Sequence, residues 1–184
     1  VKNIETFFKN FMINLFFYRI YRAIRIDIDL YEEVEKDKSA TVQAGIVVVL
    51  SSLAAGVGAL QLGASNFLLA PIMSLLSWYV YAYVIYFVGV KLFGGPKTKS
   101  NHGELLRTIG FSTAPGLIRI FGVTPDLMTV TFIGSALWML ACMVVAVKSA
   151  LDYDSLLKAF GVVVIAWLFQ AFFLILIIVL FNGV

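Results

Sequence analysis

Residues 39–90 read SATVQAGIVVVLSSLAAGVGALQLGASNFLLAPIMSLLSWYVYAYVIYFVGV, a run without one charged side chain between Lys38 and Lys91. A helix crossing a bilayer needs about 20 apolar residues, so this run is too long for one crossing and fits two. Its polar, flexible centre, QLGASN at 61–66, is where the chain should reverse. Span one is then 41–60 and span two 67–90. Further on, 127–147 and 159–181 are also free of charge, with Gln170 the only strongly polar side chain of the second. Between them, 108–118 is bounded by Arg107 and Arg119. Such a stretch is about 17 Å long at 1.5 Å per residue, so both arginines must snorkel if 104–123 is a further span. The chain has 184 residues, 61% hydrophobic and 14% charged, with a mean hydropathy of +0.94. Soluble domains carry about 25% charged residues, and that class is excluded. The expected fold is an all-α integral membrane bundle of five transmembrane helices over 41–184, preceded by an arm over 1–40.

Lys and Arg set the expected orientation. Residues 1–40 hold seven of the fourteen, 91–107 hold four, and Lys148 and Lys158 lie in one loop; Arg119 alone falls on the other side. By the positive-inside rule the N-terminus is cytoplasmic and the C-terminus outside. Within the arm, Ile4, Phe7, Phe8, Phe11, Met12, Leu15 and Tyr18 recur at helical spacing opposite Glu5, Lys9 and Asn10. That pattern describes an amphipathic helix in the membrane interface. From Phe16 the apolar face shifts, and Arg19, Arg22 and Arg25 swing onto the earlier apolar side. The shift implies a kink or rotation near 14–18, or a protein partner covering one half. Phe7, Phe8, Phe11, Arg19, Arg22 and Arg25 are therefore the candidate partner or lipid contacts. The acidic segment with Asp27, Asp29, Glu32, Glu33, Glu35 and Asp37 reads as a solvated cytoplasmic face before a helix capped by Ser39 or Thr41.

Side chains that could carry chemistry are few. His102 is the only histidine and sits in a hydrophilic connector; Cys142 is the only cysteine and lies in an apolar run. There is no metal-ligand spacing, phosphate loop or serine elbow. The expectation is no enzyme, no cofactor, no metal and no nucleic acid, with the lipid bilayer and other membrane proteins as partners. In span three, Pro115 collides with the carbonyl of Phe111 while Gly110 and Gly116 weaken the flanking turns. Either this is a kinked, buried helix admitting close neighbours, the reading preferred, or a broken helix forming a site as transporters use. In span one, Gly45, Ser52 and Gly56 mark a helix-packing face. In span two, Tyr83 and Tyr86 suit an aromatic belt, while Trp78 and Tyr79 should pack internally.

The run Leu105-Leu106-Arg107-Thr108-Ile109-Gly110-Phe111-Ser112-Thr113-Ala114-Pro115-Gly116 resembles the Gly-aromatic-Ser…Pro signature of the Yip family of membrane proteins. So do Leu30-Tyr31-Glu32-Glu33-Val34-Glu35 and the Ser39-Ala40-Thr41 entry, and the likeness is nearest to the family's small bacterial branch. The matching motif positions are Arg107, Gly110, Phe111, Ser112, Pro115 and Gly116. The resemblance implies five spans behind a cytoplasmic arm, and, in eukaryotic members, membrane organisation and contact with Ypt/Rab GTPases. Those members carry Asp-Leu-aromatic-Gly-Pro; here Asp29-Leu30-Tyr31 is followed by Glu32-Glu33. The expected role is a non-enzymatic membrane scaffold or adaptor acting through its arm. The alternatives are an accessory transmembrane subunit of a larger, energy-converting complex and a small transporter using a broken third helix. Val1 in place of Met implies either a fragment or a GTG start; the second fits a prokaryotic source, for which the expected location is the bacterial cytoplasmic membrane.

Overall fold

The computed structural model describes the backbone of residues 2–62 and 69–182, and their side chains except those of 2–11, 173, 174, 176–178 and 180–182. Among the described residues every regular element is helical. Of the described residues, three helices are long and apolar enough to cross a membrane: α3 (Ala40–Gly58), α4 with the π-turn that extends it (Leu69–Leu92) and α6 (Pro125–Ala150). A fourth long apolar helix, α7, runs from Leu156 to Asn182. Each lies within three residues of an expected span. The reversal expected at 61–66 begins with a single 3-10 turn at Leu60–Leu62, and the rest of it falls outside the described residues.

The third expected span is corrected. It is not one kinked helix over 104–123 but α5 (His102–Ser112) followed by a 3-10 segment, Ala114–Phe121. Proline explains the break. Having no N–H, Pro115 is tolerated in the first turn of a helical segment, where no donor is needed. Hydroxyls bond the last carbonyls of α5 locally, Ser112 Oγ donating to Ile109 O at 2.7 Å and Thr113 Oγ1 joining Thr113 N on Gly110 O at 2.7 Å. The change of helix type also restores length. Eleven α-residues give about 16 Å and eight 3-10 residues about another 16 Å, close to the thickness of a hydrocarbon core.

Small residues let this broken element lie against α3. A Cβ on Gly110 would stand 2.7 Å from Ala44 Cβ, and one on Gly116 would stand 2.0 Å from Ser51 Oγ. The buried face of α3 is Ala44, Val47, Ser51, Ala54 and Gly58. Gly45 meets the Trp78 ring at 3.5 Å from a notional Cβ. Ser52 and Gly56 are half-buried one position away from that face.

The arm is also corrected. α1 runs as one α-helix from Lys2 to Ile24, with no break in helix type at 14–18. Its face changes because its second half docks on its own bundle. Ile20 and Ala23 join Leu30, Tyr31, Val34, Ala44, Val47 and Phe111 in one core, with Phe16 and Ile24 packed against it. α6 receives the end of the arm: Trp138 Nε1 donates to Ile24 O at 2.9 Å and Cys142 Sγ to Ala23 O at 3.5 Å. These are carbonyls that a helix C-terminus leaves without intrahelical partners. The chain then turns through Ile26 at φ 58°. Ile26 N donates to Ala23 O and Asp27 N to Arg22 O, a Schellman closure with isoleucine where glycine is usual. A β-branched residue in that region is strained, so the docking around it must hold the turn in place. The second core lies between α4, α5, α6 and α7, with Ile85, Leu105, Ile109, Val147 and Val162 at its centre.

Candidate functional site

The acidic segment is not simply a solvated face. It folds as α2 (Ile28–Lys36), with Asp27 as N-cap accepting from Asp29 N at 3.0 Å. Leu30, Tyr31 and Val34, spaced for one helical face, are fully buried. The carboxylates on the other side meet the arm's arginines. Arg19, 3% exposed, donates through Nε to Glu33 Oε1 at 2.8 Å, through Nη2 to Asp37 Oδ2 at 2.8 Å and through Nη1 to Gln43 Oε1 at 2.9 Å. Arg22 pairs with Asp27 at 2.7 Å and with Glu33 at 2.5 Å. Arg25 stays outside this network, donating to the Tyr21 hydroxyl at 3.0 Å. One guanidinium thus ties α1 to α2, to the turn after it and to α3. The spread of its three acceptors suits arginine's planar fork.

A second arginine closes the junction from the far side. Arg107 of α5, expected to snorkel, is 6% exposed. Its Nε donates to Val34 O at 2.8 Å and its Nη2 to Glu35 O. Both carbonyls are orphans at the C-terminal end of α2, where a cation also suits the helix dipole. The family-motif arginine therefore caps the helix that receives the arm. Ser39 does not cap α3 through its side chain; its Oγ donates to Asp37 Oδ1 at 2.6 Å and keeps that carboxylate turned toward Arg19. The bond from Arg22 holds Asp27 below the ordinary carboxylate range. Burial pushes Asp37 up, but bonds from Ser39 and Arg19 outweigh it and leave Asp37 lowered.

Glu35 goes the other way. Burial, with Glu104 and Asp152 nearby, pushes its carboxyl up to about 7 from 4.5. The folded protein therefore binds this proton more tightly than the unfolded chain. The stabilisation is complete below about pH 4.5 and is lost as pH rises through 7. Glu35→Gln should raise the melting temperature at pH 8, by the equivalent of about 1 kcal/mol after solvent screening, and change little at pH 5. A variant melting below wild type at pH 8 would contradict this.

Other side chains depart from expectation. Trp78 packs internally, its Nε1 donating to Leu106 O at 3.0 Å, but Tyr79 is 52% exposed. Tyr81 is the buried one, and its hydroxyl reaches Val163 O at 3.1 Å. His102 is the first residue of α5 and rests against Tyr79 and Tyr83 with ring centroids 4.8 Å from each. Asn101 and Glu104 form a capping box at that helix start, a signal legible in the spacing Asn-x-x-Glu. Phe7, Phe8 and Phe11 fall outside the described side chains.

Apolar helices of spanning length, a docked basic arm and a proline-broken third element define an all-helical integral membrane protein. The family model for the Yip1 domain matches residues 30–178, and the chain belongs to that family. No curated protein and no solved structure shows significant similarity to it. The match begins within α2, at Leu30, and includes Arg107, Gly110 and Pro115.

Proposed function

We propose that the protein is a non-enzymatic, five-span membrane scaffold or adaptor whose α1 arm is the contact surface. One observation carries the reading. α1 is fixed at its base by Arg19 and Arg22, yet on its outer side leaves Ile13, Phe17 and Tyr21 uncovered at 43%, 61% and 53% exposure. These three are spaced four apart on one helical stripe. A helix held rigidly to the bundle with an uncovered aromatic stripe pays little ordering entropy when something binds it. Phe7, Phe8 and Phe11 extend the same arm toward its N-terminus.

The arm lies on the cytoplasmic side in this reading. Support comes from the positive-inside bias and from Arg107 and Lys97, which meet α2 and Asp154 at the arm's end of the bundle. Single-cysteine labels in a Cys142-free background should react from the cytoplasmic face at position 97 and from the opposite face at 126.

Mild-detergent purification of wild type and of Phe17→Ala/Tyr21→Ala tests the role itself. A protein partner should be lost from the variant while its melting temperature is unchanged. Identical copurifying proteins in both would remove the arm as a protein contact. A partner held stoichiometrically through purification favours the second reading, an accessory subunit of a larger complex, which the same aromatic stripe would serve.

A further inference from the structure

The bundle contains a cavity of about 740 Å3 to which α3, α4, α5, α6, α7 and the 3-10 segment all contribute. That volume is in the range of small-molecule pockets, about 300–1,000 Å3. Its walls are mainly apolar, with Trp78 and Trp167 among them, and Ser77 and Gln170 add a hydroxyl and an amide. It is open on the side facing lipid, since Leu137 and Trp167 line it and are 65% and 64% exposed.

Arg119 also lines it. The Arg119 backbone stands at the outer end of α3, where a Cβ on Gly58 would meet its carbonyl oxygen at 2.0 Å. Its side chain does not snorkel outward from there. Nε donates to Ser135 Oγ at 2.7 Å, and the guanidinium lies 5.4 Å from the Phe132 ring centre. Ser135 is ten residues beyond Pro125, the first residue of α6, so it lies about 15 Å along that helix. The cation is thereby drawn well below the bilayer surface. No ion pair among the described residues includes it. A cation at membrane depth needs a counter-charge or water, and one hydroxyl and one ring face supply neither.

We infer that this cavity binds a single-chain lipid with an anionic head, a fatty-acid-like carboxylate, its head on Arg119 and its chain between Trp78 and Trp167. Three features select that occupant. The charge at the site is a cation with no ion-pair partner among the described residues, the lining beyond it is mainly apolar, and entry is from lipid rather than from water. The depth of Arg119 favours a small carboxylate over the bulky phosphodiester of a two-chain lipid, which would have to leave the headgroup layer.

The tryptophans provide the measurement. The chain has three, and Trp138 serves the arm and does not line the cavity. In a Trp138→Phe background in nanodiscs, a brominated fatty acid should quench the remaining fluorescence saturably, and the corresponding brominated alcohol should do so at least tenfold more weakly. Arg119→Gln should weaken binding of the acid at least tenfold and leave the alcohol unchanged; tenfold corresponds to about 1.4 kcal/mol. Ser77→Phe, which fills the cavity and keeps Arg119, should abolish saturable quenching by either and provides the test should Arg119→Gln fail to fold. Equal quenching by acid and alcohol, or undiminished acid binding in either variant, would overturn the site. Saturable quenching by a brominated phosphatidylglycerol but not by the acid would overturn the single-chain occupant.

Discussion

Gly110→Ala, the addition of one methyl group, should lower stability by about 3 kcal/mol, and Gly110→Val should keep the protein from accumulating in membranes. The added Cβ would stand 2.7 Å from Ala44 Cβ and 3.1 Å from the carbonyl carbon and oxygen of Ala44. Backbone cannot rotate away as a long side chain can, so α3 and α5 must move apart. Overpacking of this kind costs about 1–3 kcal/mol and sometimes more. The contact lies in the core that joins α1, α2, α3 and α5, so separation there also loosens the arm. Ala44→Gly removes the nearest atom but not the two at 3.1 Å, and should restore part of the loss. A double-mutant cycle should give a coupling of about 1 kcal/mol or more. Gly134 and Gly161 are internal controls, since a Cβ at either meets nothing within 4 Å, and alanine there should be neutral or mildly stabilising. A Gly110→Ala protein that melts with wild type would show that this approach does not set the helix spacing.

The apolar framework was legible because a bilayer imposes one crude requirement, an uninterrupted apolar length, and residues 39–90, 127–147 and 159–181 declare it openly. The third element was half legible. Pro115 announced a disturbance, but kink and change of helix type look alike in sequence. The junction could not be read. Arg107 and Val34 are 73 positions apart and Arg19 and Gln43 are 24 apart, and spacing rules for helices reach only three or four residues. An arginine beside an apolar stretch therefore read as snorkelling whether it caps a distant helix, as Arg107 does, or turns into a cavity, as Arg119 does. The face shift at Phe16 was a true signal with an unrecognised cause, since the surface that receives the second half of the arm is the chain's own.

Arg19→Gln should release the base of the arm while the bundle stays folded. Breaking a buried ion pair costs about 3–5 kcal/mol. Here the carboxylates of Glu33 and Asp37 are 36% and 31% exposed, so water can replace part of what is lost and about 2–3 kcal/mol is expected. Glu33 keeps Arg22, and Asp37 keeps Ser39. Gln43 loses the guanidinium at a position only 8% exposed. Strain at Ile26 then favours letting go, and trypsin should gain access to Arg22 and Arg25. Arg19→Lys should not rescue, because one ammonium cannot span acceptors on three segments. Arg25→Lys, which keeps a trypsin site and lies outside the network, should leave trypsin sensitivity unchanged. Acid should mimic the variant. The folded values of Asp27 and Asp37 are depressed below 3.8, so their contribution is present above about that pH and disappears as pH falls through the folded values. Wild-type α1 should become cleavable by an acid-active protease only as pH falls below 3.8, through the depressed folded values, whereas Arg19→Gln should be cleavable at neutral pH already. If both proteins are cut at the same rate at pH 7, Arg19 does not fasten the arm, and its burial serves only the packing around Ile20 and Ala23.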